Sequence, residues 1–144
     1  TTNNYQVNSF GVGTAPSSTA GEIRATNNIT AYYSDKRLKD IKGKIENALK
    51  KVNEISGVSF HSNELAEKFG YKDKSKQIGV IAQEVEKVLP EVIAPAPFDL
   101  DKYGNSISNE NYLTVMYEKI IPLLVEALKE NNLELKKWNK NEQR

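Results

Sequence analysis

Apolar side chains fall at Leu38, Ile41, Ile45, Ala48, Val52 and Ile55, in alternating steps of three and four. That spacing predicts one stripe on an amphipathic helix that begins just after Ser34, with Gly57 placed to end it. The period then changes. GVSFH (57–61) predicts a short strand and ELAEKFGYKDKSK (64–76) a helical or looped excursion. QIGVIA (77–82) predicts a buried strand feeding the helix QEVEKVL (83–89), which Pro90 stops. APAPFDLDKYGNSISN (94–109) places Pro, Asp, Gly and Asn at turn positions and predicts an irregular loop or a hairpin. After it, Thr114, Tyr117, Ile121, Leu124, Leu128, Asn131, Leu135 and Trp138 continue the three-four spacing. This pattern is the a/d seam of a coiled coil, or else a stripe that packs on the domain's own core. Asn131 favours association, because a polar residue on such a seam fixes register and oligomer number, whereas in a private core it only costs stability. Pro122 lacks a backbone donor and predicts a kink or the start of the straight helix.

The first 33 residues read differently. Residues 1–33 are rich in Asn, Thr, Ser, Gly and Ala, carry Glu22 and Arg24 as their charges, and alternate weakly in GEIRATNNITAY (21–32). That pattern suits short strands and turns. So few large apolar side chains cannot offset an ordering cost of about 1–2 kcal/mol per residue, so the segment needs other chains or a preceding β-domain; a disordered tail is the alternative. The expected fold is α+β: a small mixed domain with long helices over 34–144, its last helix in a trimeric coiled coil, preceded by the intertwined β-strands of a fibre end over 1–33.

Composition narrows the chemistry. The 144 residues hold 20 Lys and Arg against 19 Asp and Glu, a formal charge of +1 that sets up no field for nucleic acid or an anionic membrane. There is no cysteine and one histidine, His61, so a thiolate zinc site, a disulfide framework and a histidine cluster are all ruled out, and neither metal nor cofactor is expected. No apolar run approaches 18 residues, and TTNNYQVNSF lacks the basic and apolar regions of a signal peptide. A chain beginning with Thr is expected to be the C-terminal piece of a longer polypeptide. P-loop, dinucleotide and nucleophile-elbow motifs do not occur. Glu84, Glu86 and Glu91 have the spacing of a solvated helix face rather than of a glycosidase pair, and His61 beside Phe60 reads as a packed or surface histidine.

Three stretches in order, GEIRATNNITAYYSDKRLKDI, QIGVIAQEVEKVLPEVI and YLTVMYEKIIPLLVEALKEN, resemble the intramolecular chaperone domain of endosialidases and related phage tail proteins, which also occurs in the myelin regulatory factor. The resemblance runs from about Gly21 to the end. It implies a homotrimer that helps the upstream β-fibre of the same polypeptide to fold in the host cytoplasm during virion assembly. It then implies autoproteolysis before the Ser of a Ser-Asp-x-Arg-x-Lys motif, here Ser34, Asp35, Arg37 and Lys39. On that basis the bond between Tyr33 and Ser34 is cut once, Ser34 is the nucleophile and Lys39 the base. The fibre stays in the virion and the chaperone leaves. Ile121, Leu124, Leu128, Asn131 and Leu135 would form the trimer seam.

The residue types suit such a reaction. A serine hydroxyl needs a neighbour to take its proton, and a lysine does so only when neutral. At the ordinary lysine pKa of ~10.4 that is rare near pH 7, so the amine has to be desolvated, and burial in an assembled trimer would supply this. Positions five apart on a regular helix lie about 140° apart around the axis, so Ser34 has to precede the helix. Two other readings stay open on the residues alone. Ser34 could be only an N-cap, with Asp35 near the positive end of the helix dipole and Lys39 solvated. The whole chain could be a permanent, non-catalytic trimerisation or capping module. A cleaved regulatory domain of the myelin regulatory factor type is less favoured, since the Asn/Thr/Gly-rich segment before Ser34 resembles fibre.

Overall fold

In the computed structural model the described residues are 7–18, 21–30 and 33–142. Residues 31–32, the end of the weakly alternating stretch, lie outside them. The chain divides into two compact units, Thr1–Lys42 and Gly43–Arg144.

In the first unit β1 (Phe10–Val12) pairs in parallel with β2 (Ile23–Ala25), Gly11 opposite Arg24. Gly11 is required there, because a β-carbon at that position would lie 2.4 Å from the Thr14 carbonyl oxygen. Phe10, Val12, Ile23, Ile29, Leu38 and Ile41 are all exposed, and among the described residues of this unit only Ser17 is buried. Among the described residues its short strands therefore close on no apolar core.

The second unit has the core. Its helices are α1 (Ala48–Asn53), α2 (Glu64–Lys68), α3 (Ala82–Val88) and α4 (Ile121–Glu142). Strands β3 (Gly57–Phe60) and β4 (Gln77–Val80) pair antiparallel, as do β5 (Ile93–Pro95) and β6 (Leu113–Val115). Ala48 of α1, Val85 and Leu89 of α3 and its end, Val92, and Leu123 and Ala127 of α4 form the buried cluster, flanked by Ile45, Val52, Ile55, Val80 and Val115. The mixed α+β class and the strand-helix order over 57–89 follow the apolar pattern, and the chain leaves α3 at Leu89, just before Pro90.

Two predicted elements differ. The stripe Leu38–Ile55 is not one helix: a 3-10 turn covers Lys36–Leu38, and α1 starts only at Ala48. Asn47 sits in the left-handed region at φ 54°, which breaks any helix running through it, and Gly43 carries a helix cost of about 1 kcal/mol. Ile45, Ala48, Val52 and Ile55 nevertheless reach the core, so the spacing reports their burial rather than a continuous helix. Gly57 accordingly opens β3 instead of capping a helix. Since Asn47 gives α1 no side-chain cap, the Glu130 carboxylate of α4 serves instead, accepting from the N–H groups of Ala48 and Leu49 at 3.0 and 2.7 Å.

The C-terminal repeat is also shorter than its spacing suggests. Thr114 lies in β6 and Tyr117 in a 3-10 turn, Tyr117–Ile120, so the helical part of the repeat begins at Ile121. Pro122, the second residue of α4, cannot donate to a carbonyl four residues back, so a helix running in from Thr114 would lose that bond; Pro122 marks the start of the helix and does not kink it.

Candidate active site

Ser34 and Asp35 stand immediately before the 3-10 turn. Asp35, at φ −65° and ψ 130°, caps it: its Oδ1 accepts from the Arg37 N–H at 2.9 Å. The turn closes where Leu38 N–H donates to the Asp35 carbonyl and Lys39 N–H to the Lys36 carbonyl, both at 3.1 Å. Lys39 leaves it extended, at φ −125° and ψ 130°. Because the chain turns once between them, the five-residue separation is no obstacle, and the Lys39 Nζ donates to the Ser34 Oγ at 2.9 Å. The capping position belongs to Asp35 and not to Ser34, which leaves the Ser34 hydroxyl for Lys39. Arg37 folds back on the cap, its Nε and Nη2 donating to the Asp35 carboxylate at 3.1 and 2.7 Å. This guanidinium, with the Arg37 N–H, holds the Asp35 carboxyl below its ordinary range, and Asp35 in turn raises Arg37.

Ser34, Lys39 and Tyr33 are exposed in the single chain. An ammonium that donates to a hydroxyl oxygen is not yet a base. For general-base work the hydrogen bond has to reverse, with a neutral amine accepting from the Ser34 O–H, and removal of water favours that direction.

The expected seam residues all lie on α4, and all are exposed: Ile121 at 58%, Leu124 at 44%, Leu128 at 64%, Leu135 at 51%, and Asn131 with them. The helix has two apolar stripes. Leu123 and Ala127 face the core of the unit, while Ile121, Leu124, Leu128, Leu135 and Trp138 form a second stripe that is exposed among the described residues. Beyond Glu130 every described residue of α4 is exposed. The own-core reading of the repeat therefore describes Leu123 and Ala127, which the seam positions skip.

Some polar residues with defined work were not singled out from the sequence. Asp99, 1% exposed, accepts from the Ser106 hydroxyl at 2.7 Å, from Ser108 N–H at 2.8 Å and from Tyr112 N–H at 3.3 Å, and so ties together the loop between β5 and β6. Ser106 first, then Ser108 and Tyr112, outweigh burial and hold its carboxyl down at about 2. Its folded pKa lies below the ordinary carboxylate value of about 3.9, so its contribution to stability is complete above pH 4 and disappears as the pH falls toward 2. Asp99→Asn should therefore lower the melting temperature by several degrees at pH 7 and flatten its fall between pH 4 and pH 2 in thermal scans of both proteins. The alternation of Asp and Ser through 99–108 is the available signal, but nothing local marks Asp99 rather than Asp101 as the buried one. Glu84, expected on a solvated face, accepts instead from the Ser56 N–H at 2.6 Å and its hydroxyl at 3.2 Å. His61 Nδ1 lies 2.9 Å from the Lys74 carbonyl oxygen at the surface. Among the described residues no three His, Cys, Asp or Glu side chains are grouped so as to hold a metal ion, and no helix is long and apolar enough to cross a membrane.

Comparison with known proteins points to the same segment. A peptidase family described as chaperone of endosialidase matches residues 34–94, beginning at the serine of the Ser34–Lys39 pair. The chain is also similar to two proteins called long tail fiber protein Gp37, from Enterobacteria phage K3 and Enterobacteria phage T2, each 37% identical over 113 residues. Each alignment covers 76% of this chain, and the chain spans only 8% of the length of either relative. The match over residues 34–94 and the two tail-fiber relatives together support a chaperone domain of the endosialidase type in this part of the chain.

Proposed function

We propose that this chain is the end of a phage tail fibre together with its intramolecular chaperone, which assembles as a homotrimer, registers three upstream β-segments and then releases itself by a single cut between Tyr33 and Ser34. The observation that carries the reading is the 2.9 Å hydrogen bond between Lys39 Nζ and Ser34 Oγ at the first residue of the family match. The trimer is supported by the second apolar stripe of α4 and by a first unit with no buried apolar side chain among its described residues.

In this mechanism neutral Lys39 takes the proton of the Ser34 hydroxyl as Oγ attacks the carbonyl carbon of Tyr33. The Tyr33–Ser34 C–N bond breaks, the proton passes to the leaving amine of Ser34, and an ester joins the Tyr33 carbonyl to Oγ. One water then hydrolyses the ester, leaving a carboxylate on Tyr33 and a free amine and hydroxyl on Ser34. The same chemistry works with the hydroxyl of a neighbouring chain. Burial of the pair in the assembled trimer would remove water from Lys39 and so delay cutting until the fibre has formed. After the cut the chaperone has no covalent hold, and the interlocked fibre remains because it unfolds slowly, a kinetic rather than an equilibrium lock. The exposure of both dyad residues in the single chain favours one rival, a permanent trimerisation or capping module. Intact mass after incubation separates the two: a pair of fragments divided at Ser34 for the self-cleaving chaperone, the whole chain for the permanent module.

A further inference from the structure

The Ser34–Lys39 contact depends on a turn whose hydrogen bonds among the described residues are its own. The 3-10 segment Lys36–Leu38 has no buried residue, and Leu38, its one large apolar side chain, is 63% exposed. A single turn of this kind fixes several dihedral angles for two backbone hydrogen bonds, which is unfavourable without further support. That support is local. The Asp35 carboxylate takes the Arg37 N–H at 2.9 Å and, through its second oxygen, the Arg37 Nη2 at 2.7 Å. The cap and the guanidinium thus lock both ends of the turn's first half, and with it the direction in which Lys39 leaves.

We infer that Asp35 and Arg37 are positioning residues: their carboxylate–guanidinium clamp holds the turn that swings Lys39 back over the Ser34 hydroxyl. This deepens the proposed self-cleavage and rests on it for its effect on rate, but the clamp itself is a statement about geometry. Neither side chain is given a proton-transfer role. Asp35 acts through the backbone N–H it caps, and Arg37 acts by keeping that carboxylate in place. The pair also neutralises the Arg37 charge next to Lys39, so the cation nearest in sequence to the amine is already committed to a partner.

Two measurements test the inference. The first is the cleavage rate of the full 144-residue chain carrying Asp35→Ala, Asp35→Asn or Arg37→Ala, with native mass and melting temperature recorded for each. A displaced catalytic group costs on the order of 10²-fold, so Asp35→Ala should slow cleavage by about that factor with assembly and melting unchanged. Asp35→Asn keeps an oxygen that accepts from the Arg37 N–H and should recover most of the rate, and Arg37→Ala should cost less than Asp35→Ala. Because the chain has no cysteine, the second measurement uses Ser34→Cys as a unique thiol and follows its alkylation by iodoacetamide at pH 7. A neighbouring lysine lowers a thiol pKa, so the thiol should react about 3–5-fold faster than in Ser34→Cys/Lys39→Ala. Adding Asp35→Ala should remove that acceleration. If the thiol reacts equally fast with and without Asp35, the clamp is overturned, whether or not the wild-type chain cuts itself. An uncut wild type with an Asp35-dependent thiol would overturn the proposed cleavage and leave the clamp standing.

Discussion

On the proposed mechanism Ser34→Ala and Lys39→Ala should each leave the chain whole after incubation at neutral pH, with native mass and melting temperature like those of the parent. Removing the hydroxyl removes the attacking atom, so no ester forms. Removing the amine leaves the hydroxyl in place without an acceptor for its proton, a loss of about 10²–10⁴-fold for general-base catalysis. Lys39→Arg is the more telling variant. A guanidinium keeps the positive charge and can still donate to the Ser34 oxygen, but it does not deprotonate in proteins and cannot serve as a base. If Lys39 only neutralises charge or steadies the turn, Lys39→Arg should cut normally; if it is the base, the arginine variant stays whole. Intact mass spectrometry of the three variants beside the parent reads the difference directly, and both side chains are exposed in the single chain, so folding should survive each change.

In the proposed trimer Leu128→Asp should convert the assembly to monomer and stop cleavage with it. In the single chain Leu128 is 64% exposed, so the substitution removes no core contact and the monomer should melt as before. In a three-helix seam the same position would place three carboxylates together out of water, and an unpaired buried charge costs several kcal/mol, on the order of 3–5 kcal/mol when a buried pair is broken. At about 1.4 kcal/mol per tenfold, even the lower figure weakens the association constant by about 10²-fold, and because a trimer's constant scales with the square of concentration the midpoint moves by about tenfold. Native mass and sedimentation across micromolar concentrations measure that shift. A Leu128→Asp chain that stays trimeric would place the contact elsewhere, and one that is monomeric yet cuts at the parental rate would separate cleavage from assembly.

The parts of this molecule that could be read from the sequence are those set by neighbours in the chain. Pro90 ends α3, Pro122 opens α4, and the short apolar runs 57–60 and 77–80 become strands. The helical apolar spacing of Ile121, Leu124, Leu128 and Leu135 is equally visible, and all four lie exposed on α4, while the Ser-Asp-x-Arg-x-Lys motif pairs Ser34 with Lys39, which meet at 2.9 Å. What escaped depends on partners distant in sequence or on one backbone angle. The stripe from Leu38 to Ile55 has helical spacing, yet Asn47 at φ 54° interrupts it, and a lone asparagine gives no warning of that. Thr114 and Tyr117 keep the three-four rhythm although the first pairs with Ala94 in a sheet and the second sets its hydroxyl to accept from the Val80 N–H at 3.3 Å. Glu130 reaches α1 across 82 residues of sequence to Ala48, and Asp99 was indistinguishable from Asp101 until burial separated them. Asp35 shows a subtler gap: the motif named it, but its place as the cap of the turn, in the position considered for Ser34, emerged only from the backbone geometry.

The most direct test of assembly-dependent self-release is to dilute the parent chain across the midpoint of its association, incubate at neutral pH, and record native and intact masses of the same samples. Assembly-dependent cutting predicts fragments 1–33 and 34–144 in proportion to the trimer present, and whole chain where monomer prevails. Trimers that keep the intact mass throughout would contradict it and leave a permanent trimerisation module in its place.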